Sequence, residues 1–123
     1  MARILVVDDE AQVREIGRKL LAIHDHAVDT AGDGEEGLEL LENKTYDLVI
    51  LDNYMPKLTG VEVAGMLRSS PKFKALKILM LTSMSVTKDV DAAFEAGIDG
   101  YITKPFTMKH LVEKVERTLL GAR

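Results

Sequence analysis

The chain of 123 residues contains no cysteine. Disulfides and thiolate metal sites are therefore excluded, and a reducing compartment is the consistent setting. Long apolar runs are also missing. The run after Arg3 covers only residues 4–7 before Asp8 and Asp9 interrupt it, too short for the core of a signal peptide, and no later run approaches a membrane span. A cytoplasmic protein with no membrane partner is the expectation. A basic excess is absent as well: 16 Lys plus Arg stand against 20 Asp plus Glu, for a net charge of -4. A nucleic-acid surface gathers positive charge on one face, so direct nucleic-acid binding is not expected. There is no internal repeat, low-complexity tract or linker, and no GxxxxGK(S/T) loop for nucleotide hydrolysis.

What is present suits one domain over residues 1–123, with 46% hydrophobic and 29% charged residues in a chain long enough to bury a core. Short aliphatic runs recur at residues 4–7 (ILVV), 48–51 (LVIL) and 78–81 (ILML), with weaker strand patterns at 27–31 and 101–103. Too short for helices and not alternating, the strong runs suit strands buried on both faces of a parallel sheet. Apolar spacings of three and four mark helices between and after them. Val13, Ile16, Leu20 and Ile23 form one face, Leu38 and Leu41 a second, Val63 and Leu67 a third. Val86, Val90, Ala93, Phe94 and Gly97 give the fourth, and Leu111, Val115 and Leu119 the fifth. Asp33 with Glu36 has capping-box spacing, Gly97 closes the fourth helix, and Thr107 opens the fifth. Alternating strands and helices with short connections predict an α/β fold: a five-stranded parallel sheet with helices on both faces.

All strand carboxyl ends of such a sheet share one edge, where binding crevices form. The first strand ends in Asp8 and Asp9, the third in Asp52 before a loop punctuated by Pro56 and Gly60, the fourth in Thr82 and Ser83, and the fifth in Lys104 and Pro105. The second ends in Ala31 and Gly32, which suits an outer position and favours the order 2-1-3-4-5. Three carboxylates in one crevice repel one another and call for a compensating cation. A hard divalent ion fits, Mg²⁺ best, because it uses few carboxylates and leaves coordination for phosphate oxygens. With the Lys104 ammonium and the Thr82 hydroxyl, these are the parts of a phosphoryl-transfer site, and Asp52 is its natural nucleophile.

Asp8 and Asp9, Asp52, Thr82, Tyr101 and the Lys104-Pro105 pair, in register over the whole chain, resemble the receiver domain of two-component response regulators, a flavodoxin-like fold. The resemblance implies a signalling domain, not an enzyme acting on a separate substrate. Asp52 would accept phosphate from a phosphohistidine of a sensor histidine kinase or phosphotransfer protein. Asp9 would bind Mg²⁺ directly, Asp8 mainly through water, and Asp52 and the Tyr54 backbone carbonyl would complete the protein ligands. Thr82 and Lys104 would grip the phosphoryl oxygens, and the Lys104-Pro105 bond would be cis. Tyr101 would turn inward with Thr82, altering the face made by the fourth helix, fifth strand and fifth helix, where an output partner or domain binds. The protein would be a monomer or a phosphorylation-dependent dimer, either stand-alone or the first part of a longer regulator.

Simpler readings exist for single residues. Asp8 and Asp9 would serve as helix caps, Lys104 as a surface charge, and Tyr101 as a half-buried strand aromatic. His24, His26 and His110 read as surface residues, Met66 and Met80 as core, and Met84 and Met108 as parts of a partner surface. Tyr54 and Met84, two residues beyond Asp52 and Thr82, offer no carboxamide or carboxylate to orient an attacking water, so a long-lived phosphoaspartate is expected. Among competing functions, a flavodoxin-like electron carrier needs a phosphate cradle where this chain has DDE. A haloacid dehalogenase-type phosphatase needs a second acid where Tyr54 stands. A scaffold that binds partners without phosphorylation leaves the acidic set unexplained.

Overall fold

The computed structural model describes residues 1–83 and 87–121. Strands β1 (Arg3–Val7), β2 (Ala27–Ala31), β3 (Leu48–Leu51), β4 (Lys77–Thr82) and β5 (Gly100–Thr103) form one parallel sheet in the order β2-β1-β3-β4-β5. Helices α1 (Ala11–Ile23), α2 (Gly34–Asn43), α3 (Gly60–Arg68), α4 (Thr87–Glu95) and α5 (Met108–Leu119) alternate with the strands, and a single 3-10 turn spans Pro71–Phe73. The expected fold class and strand order are observed.

The period of two along each strand splits the core into two layers. Ile4, Val6, Leu48, Ile50, Leu79, Leu81 and Ile102 pack with Leu21 of α1 and Leu111 and Val115 of α5. Leu5, Val7, Val49, Leu51, Ile78 and Met80 pack on the other face with Leu41, Val63, Leu67 and Ala93 of α2, α3 and α4. β3 is thus apolar at every position, and β1 and β4 are apolar over residues 4–7 and 78–81, because both faces are covered, which is why these runs do not alternate.

Helix ends follow local chemistry. The Glu36 amide donates to the Asp33 carboxylate at 2.8 Å and the Glu36 carboxylate accepts from the Gly32 amide at 2.7 Å, while the His110 amide donates to Thr107 Oγ1 at 3.0 Å. Thr59 and Glu62 form a full capping box at α3, a signal the sequence reading passed over. Beyond α4, Gly97 has φ +106°, and a Cβ there would collide with the Arg68 side chain. That side chain donates from Nε to Gly97 O at 2.9 Å and from Nη2 to Asp99 Oδ2 at 2.8 Å, which pins the end of α4 to α3.

Some expectations need correction. In α1 the sheet-facing residues are Gly17 and Leu21, with Val13 and Leu20 half-buried, whereas Ile16 is exposed and Ile23 is 76% exposed. The apolar stripe is wider than the buried one, and the helix is turned so that Gly17 sits against Val6. Met66 is 49% exposed on the outer side of α3, not core, although Met80 is fully buried. His26 is buried, not on the surface: its Nδ1 accepts from the Ala2 amide at 3.0 Å and its Nε2 lies 2.8 Å from Glu116 Oε1. His24 and His110 are exposed as expected. Val86 and Met84 lie outside the described residues.

The orientation of α1 gives an expected contrast. Leu21→Ala lowers stability by about 3 kcal/mol through a core cavity, while Ile23→Ala changes it by less than about 0.5 kcal/mol. Urea unfolding that shows equal losses contradicts the orientation.

Candidate functional site

Strand parity delivers the polar groups to one side of one edge. Ile4 and Val6, Leu48 and Ile50, and Ile102 point to the α1/α5 layer, so the next positions in those rows, Asp8, Asp52 and Lys104, fall on that same side. The sheet bonding continues one residue past the strand ends to hold them there. The Asp8 amide donates to Ala31 O at 3.1 Å, the Asp52 amide to Val7 O at 2.9 Å, and the Lys104 amide to Thr82 O at 2.8 Å. The Lys104 ammonium then lies 2.9 Å from Asp8 Oδ2, 2.9 Å from Glu10 Oε1 and 3.7 Å from Asp52 Oδ2.

Asp8 is fully buried and Asp9 is exposed. Asp8 Oδ1 accepts from the Glu10 amide at 2.9 Å, and its backbone carbonyl accepts from Arg14 Nη1 at 2.6 Å. Neither acid caps α1, whose N-cap is Glu10 with no side-chain cap bond, so the capping reading of the pair fails. Asp8 Oδ2 faces the ammonium as a charge contact at 2.9 Å, and it is a buried oxygen with no hydrogen-bond partner among the described residues. Carboxylate oxygens of Asp8, Asp9 and Glu10 lie within 4.8 Å of one another. An orphaned buried oxygen among hard oxygen donors fits a hard divalent cation and does not fit a soft one.

Asp52 is 4% exposed at the mouth of a tightly folded loop. The Gly60 amide donates to Asn53 O at 3.0 Å and the Val61 amide to Asn53 Oδ1 at 3.0 Å, so Asn53 ties the loop to the start of α3. A Cβ on residue 60 would lie 2.6 Å from the Asp52 carbonyl oxygen, which leaves room only for glycine. Burial, then the charge of Asp8, push the Asp52 carboxyl up from its ordinary 3.8 to about 6, against the opposing pull of Lys104 and a Tyr54 backbone hydrogen bond. Burial pulls the Lys104 ammonium down, but its contacts with Glu10 and Asp8 and the charge of Asp52 outweigh that and raise it overall.

Thr82 is fully buried at the end of β4, in the strand row of Ile78 and Met80 that faces the α2/α3/α4 layer. Tyr101 pairs in register with Met80 and meets Phe94 of α4 edge to face, with centroids 6.0 Å apart. Asp52 and Lys104 are thus on one side of the edge and Thr82 and Tyr101 on the other. The Lys104-Pro105 bond is cis. Tyr54 exposes about half of its side chain beside Asp52. Three contributors were missed from sequence: Glu10, Arg14 and Asn53. The DDE run signalled the first, but Arg14 and Asn53 act through backbone groups, and no residue pattern announces that.

Comparison with known proteins supplies the family. The response regulator receiver domain profile matches residues 4–116. The chain belongs to this family. The receiver is 41% identical over 117 residues to the response regulator MprA of Mycobacterium sp. (strain KMS), covering 95% of this chain and 50% of MprA. It is 39% identical over 120 residues to the transcriptional regulatory protein ResD of Bacillus subtilis (strain 168), covering 98% of this chain and 49% of ResD. The receiver thus spans about half the length of these curated relatives. Among solved structures, it superposes with a TM-score of 0.92 on the chemotaxis response regulator CheY4 of Vibrio cholerae, at 31% identity, covering 96% of this chain and 98% of CheY4. With the response regulator TrrA of Thermotoga maritima, solved in complex with Mg²⁺-BeF, the TM-score is 0.85 at 43% identity, covering 96% and 99% of the two chains. Phosphoryl acceptance is general to receivers.

The raised Asp52 carboxyl has a stability consequence. In metal-free buffer the folded receiver keeps a proton that the unfolded chain releases, so this group's contribution is present below about pH 4 and is lost as pH rises through about 6. Asp52→Asn carries no such loss, and at pH 8 with a chelator the variant is more stable than the parent by about 2 kcal/mol. Urea unfolding that finds the variant less stable contradicts the repulsion.

Proposed function

We propose that this receiver accepts a phosphoryl group onto Asp52 in a Mg²⁺-dependent reaction and uses it to switch the α4/β5/α5 face. The observation that carries the reading is the shared ammonium: Lys104 lies within 4 Å of both Asp8 and the buried Asp52. The donor is a phosphohistidine on a sensor histidine kinase or phosphotransfer protein. An Asp52 oxygen attacks phosphorus as the bond to the imidazole nitrogen breaks, and the imidazole keeps the electron pair and takes up a proton. Asp9 directly, Asp8 largely through water, Asp52 and the Tyr54 carbonyl would hold Mg²⁺, which would supply positive charge to the carboxylate and to the transferring oxygens.

Asp8 is buried, with Oδ1 held by the Glu10 amide and Oδ2 facing the Lys104 ammonium as a charge contact, while Asp9 is exposed. That inequality supports Asp9 as the direct ligand. Lys104 and the Thr82 hydroxyl grip the phosphoryl oxygens. Because Thr82 faces the α4 layer, its movement opens or closes space for Tyr101, which is already packed on Phe94. Each hydrogen bond to the charged group contributes roughly 1.5 to 3 kcal/mol, so Lys104 and Thr82 together with the metal supply the roughly 5.5 kcal/mol that a shift from 1:99 to 99:1 requires. The chain promotes only its own phosphorylation and dephosphorylation, in the cytoplasm. The output is a partner or appended domain, with a monomer or a phosphorylation-dependent dimer as the assembly.

Incubation with acetyl phosphate and Mg²⁺ followed by intact mass is the direct test. The expected result is one phosphoryl group on the parent and none on Asp52→Asn; no Asp52-dependent addition favours a scaffold without phosphorylation. A second outcome concerns lifetime. Tyr54→Asn with Met84→Glu, which introduces groups able to orient water, shortens the phosphoaspartate lifetime several-fold, read as decay of the phosphorylated mass. An unchanged lifetime contradicts the reading that the native pair leaves an attacking water unoriented.

A further inference from the structure

Among the polar groups of the crevice, Glu10 has entered only as a member of the acidic oxygen cluster, yet it makes one of the two shortest contacts to Lys104. Its carboxylate is 2.9 Å from Nζ, as near as Asp8 and nearer than Asp52 at 3.7 Å. Its own amide holds Asp8 Oδ1, so the residue that anchors the ammonium is fixed to the same short segment as the acids. Its side chain is about 60% exposed while that of Lys104 is 16% exposed, so Glu10 stands between the ammonium and solvent.

We propose that Glu10 is a positioning residue that keeps the Lys104 ammonium inside the crevice when Asp8 is drawn to another cation, so that the phosphoryl group on Asp52 finds it in place. This rests on Asp52 being the phosphoacceptor. An ammonium has three donors on a flexible four-carbon stem. In this structure Asp8 and Glu10 take the two short contacts. Once Asp8 neutralises a divalent ion, its hold on a second cation weakens, and only Glu10 remains as a close partner that is not itself the reacting group. One N–H is then occupied by Glu10 and the others point into the crevice. Without that anchor the stem samples solvent, and the phosphoryl contact has to be organised during the reaction.

The test compares the parent with Glu10→Gln, alone and on a Lys104→Met background. Phosphorylation of Asp52 by acetyl phosphate at saturating Mg²⁺ is expected to slow roughly fivefold in Glu10→Gln, the size of a partly exposed ion pair, with partial recovery in Glu10→Asp. On the Lys104→Met background the same substitution is expected to have no further effect. A second readout needs neither metal nor phosphate: acylation of Lys104 by an amine-reactive reagent in chelator, followed by peptide mass, should be several-fold faster in Glu10→Gln. An equal slowing with and without Lys104 overturns the proposal, because Glu10 then acts on the metal or the fold. An unchanged or faster rate in Glu10→Gln, or unchanged Lys104 labelling, also overturns it. If the parent itself takes no phosphate on Asp52, the phosphoacceptor reading fails first, and the labelling comparison still decides whether Glu10 holds Lys104.

Discussion

One ammonium shared among three carboxylates is the constraint on which the crevice depends. Buried acids at the end of two adjacent strands are costly unless their charge is balanced, and here a single Lys104 side chain reaches Asp8, Glu10 and Asp52. The balance is incomplete. Burial and the charge of Asp8 still push the Asp52 carboxyl up to about 6, and one Asp8 oxygen has no hydrogen-bond partner among the described residues. An unmet demand for positive charge thus stands beside a carboxyl group, an environment that fits a hard divalent ion.

The sheet makes this arrangement possible at little cost to the rest of the chain. Every central strand is covered on both faces, so its rows of side chains are fixed by packing and the residue after each row inherits a defined direction. Gly60 lets the start of α3 press against the Asp52 backbone, and Asn53 ties the loop with its own side chain and carbonyl. The same parity divides the edge. Asp8, Asp52 and Lys104 lie toward α1 and α5, whereas Thr82 and Tyr101 lie toward α4.

Much of this was legible in the residues. The strand runs, the carboxyl-edge set of Asp8, Asp9, Asp52, Thr82 and Lys104, and the strand order follow from short unalternating runs and from which strand ends carry polar groups. The rotation of α1 was not legible, because its apolar residues cover more of the helix than the sheet buries, and only the fit of Gly17 against Val6 decides between faces. His26 reads as a turn residue, yet the return of α5 brings Glu116 to it from 90 positions away. Arg14 was silent, and Glu10 was signalled by the DDE run without its partner, for a related reason. Their parts are played through a backbone carbonyl and through a lysine far along the chain, and helical spacing does not encode such contacts.

The central claim is that the acids are assembled to be completed by a divalent cation, and the stabilisation given by Mg²⁺ tests it most directly. At about ten times its dissociation constant, Mg²⁺ is expected to stabilise the folded chain by roughly 1.4 kcal/mol, read by thermal or urea unfolding with and without the ion. Asp9→Asn is expected to lose most of that gain while remaining folded. A parent that gains nothing from Mg²⁺, or an Asp9→Asn variant that gains as much as the parent, contradicts the account.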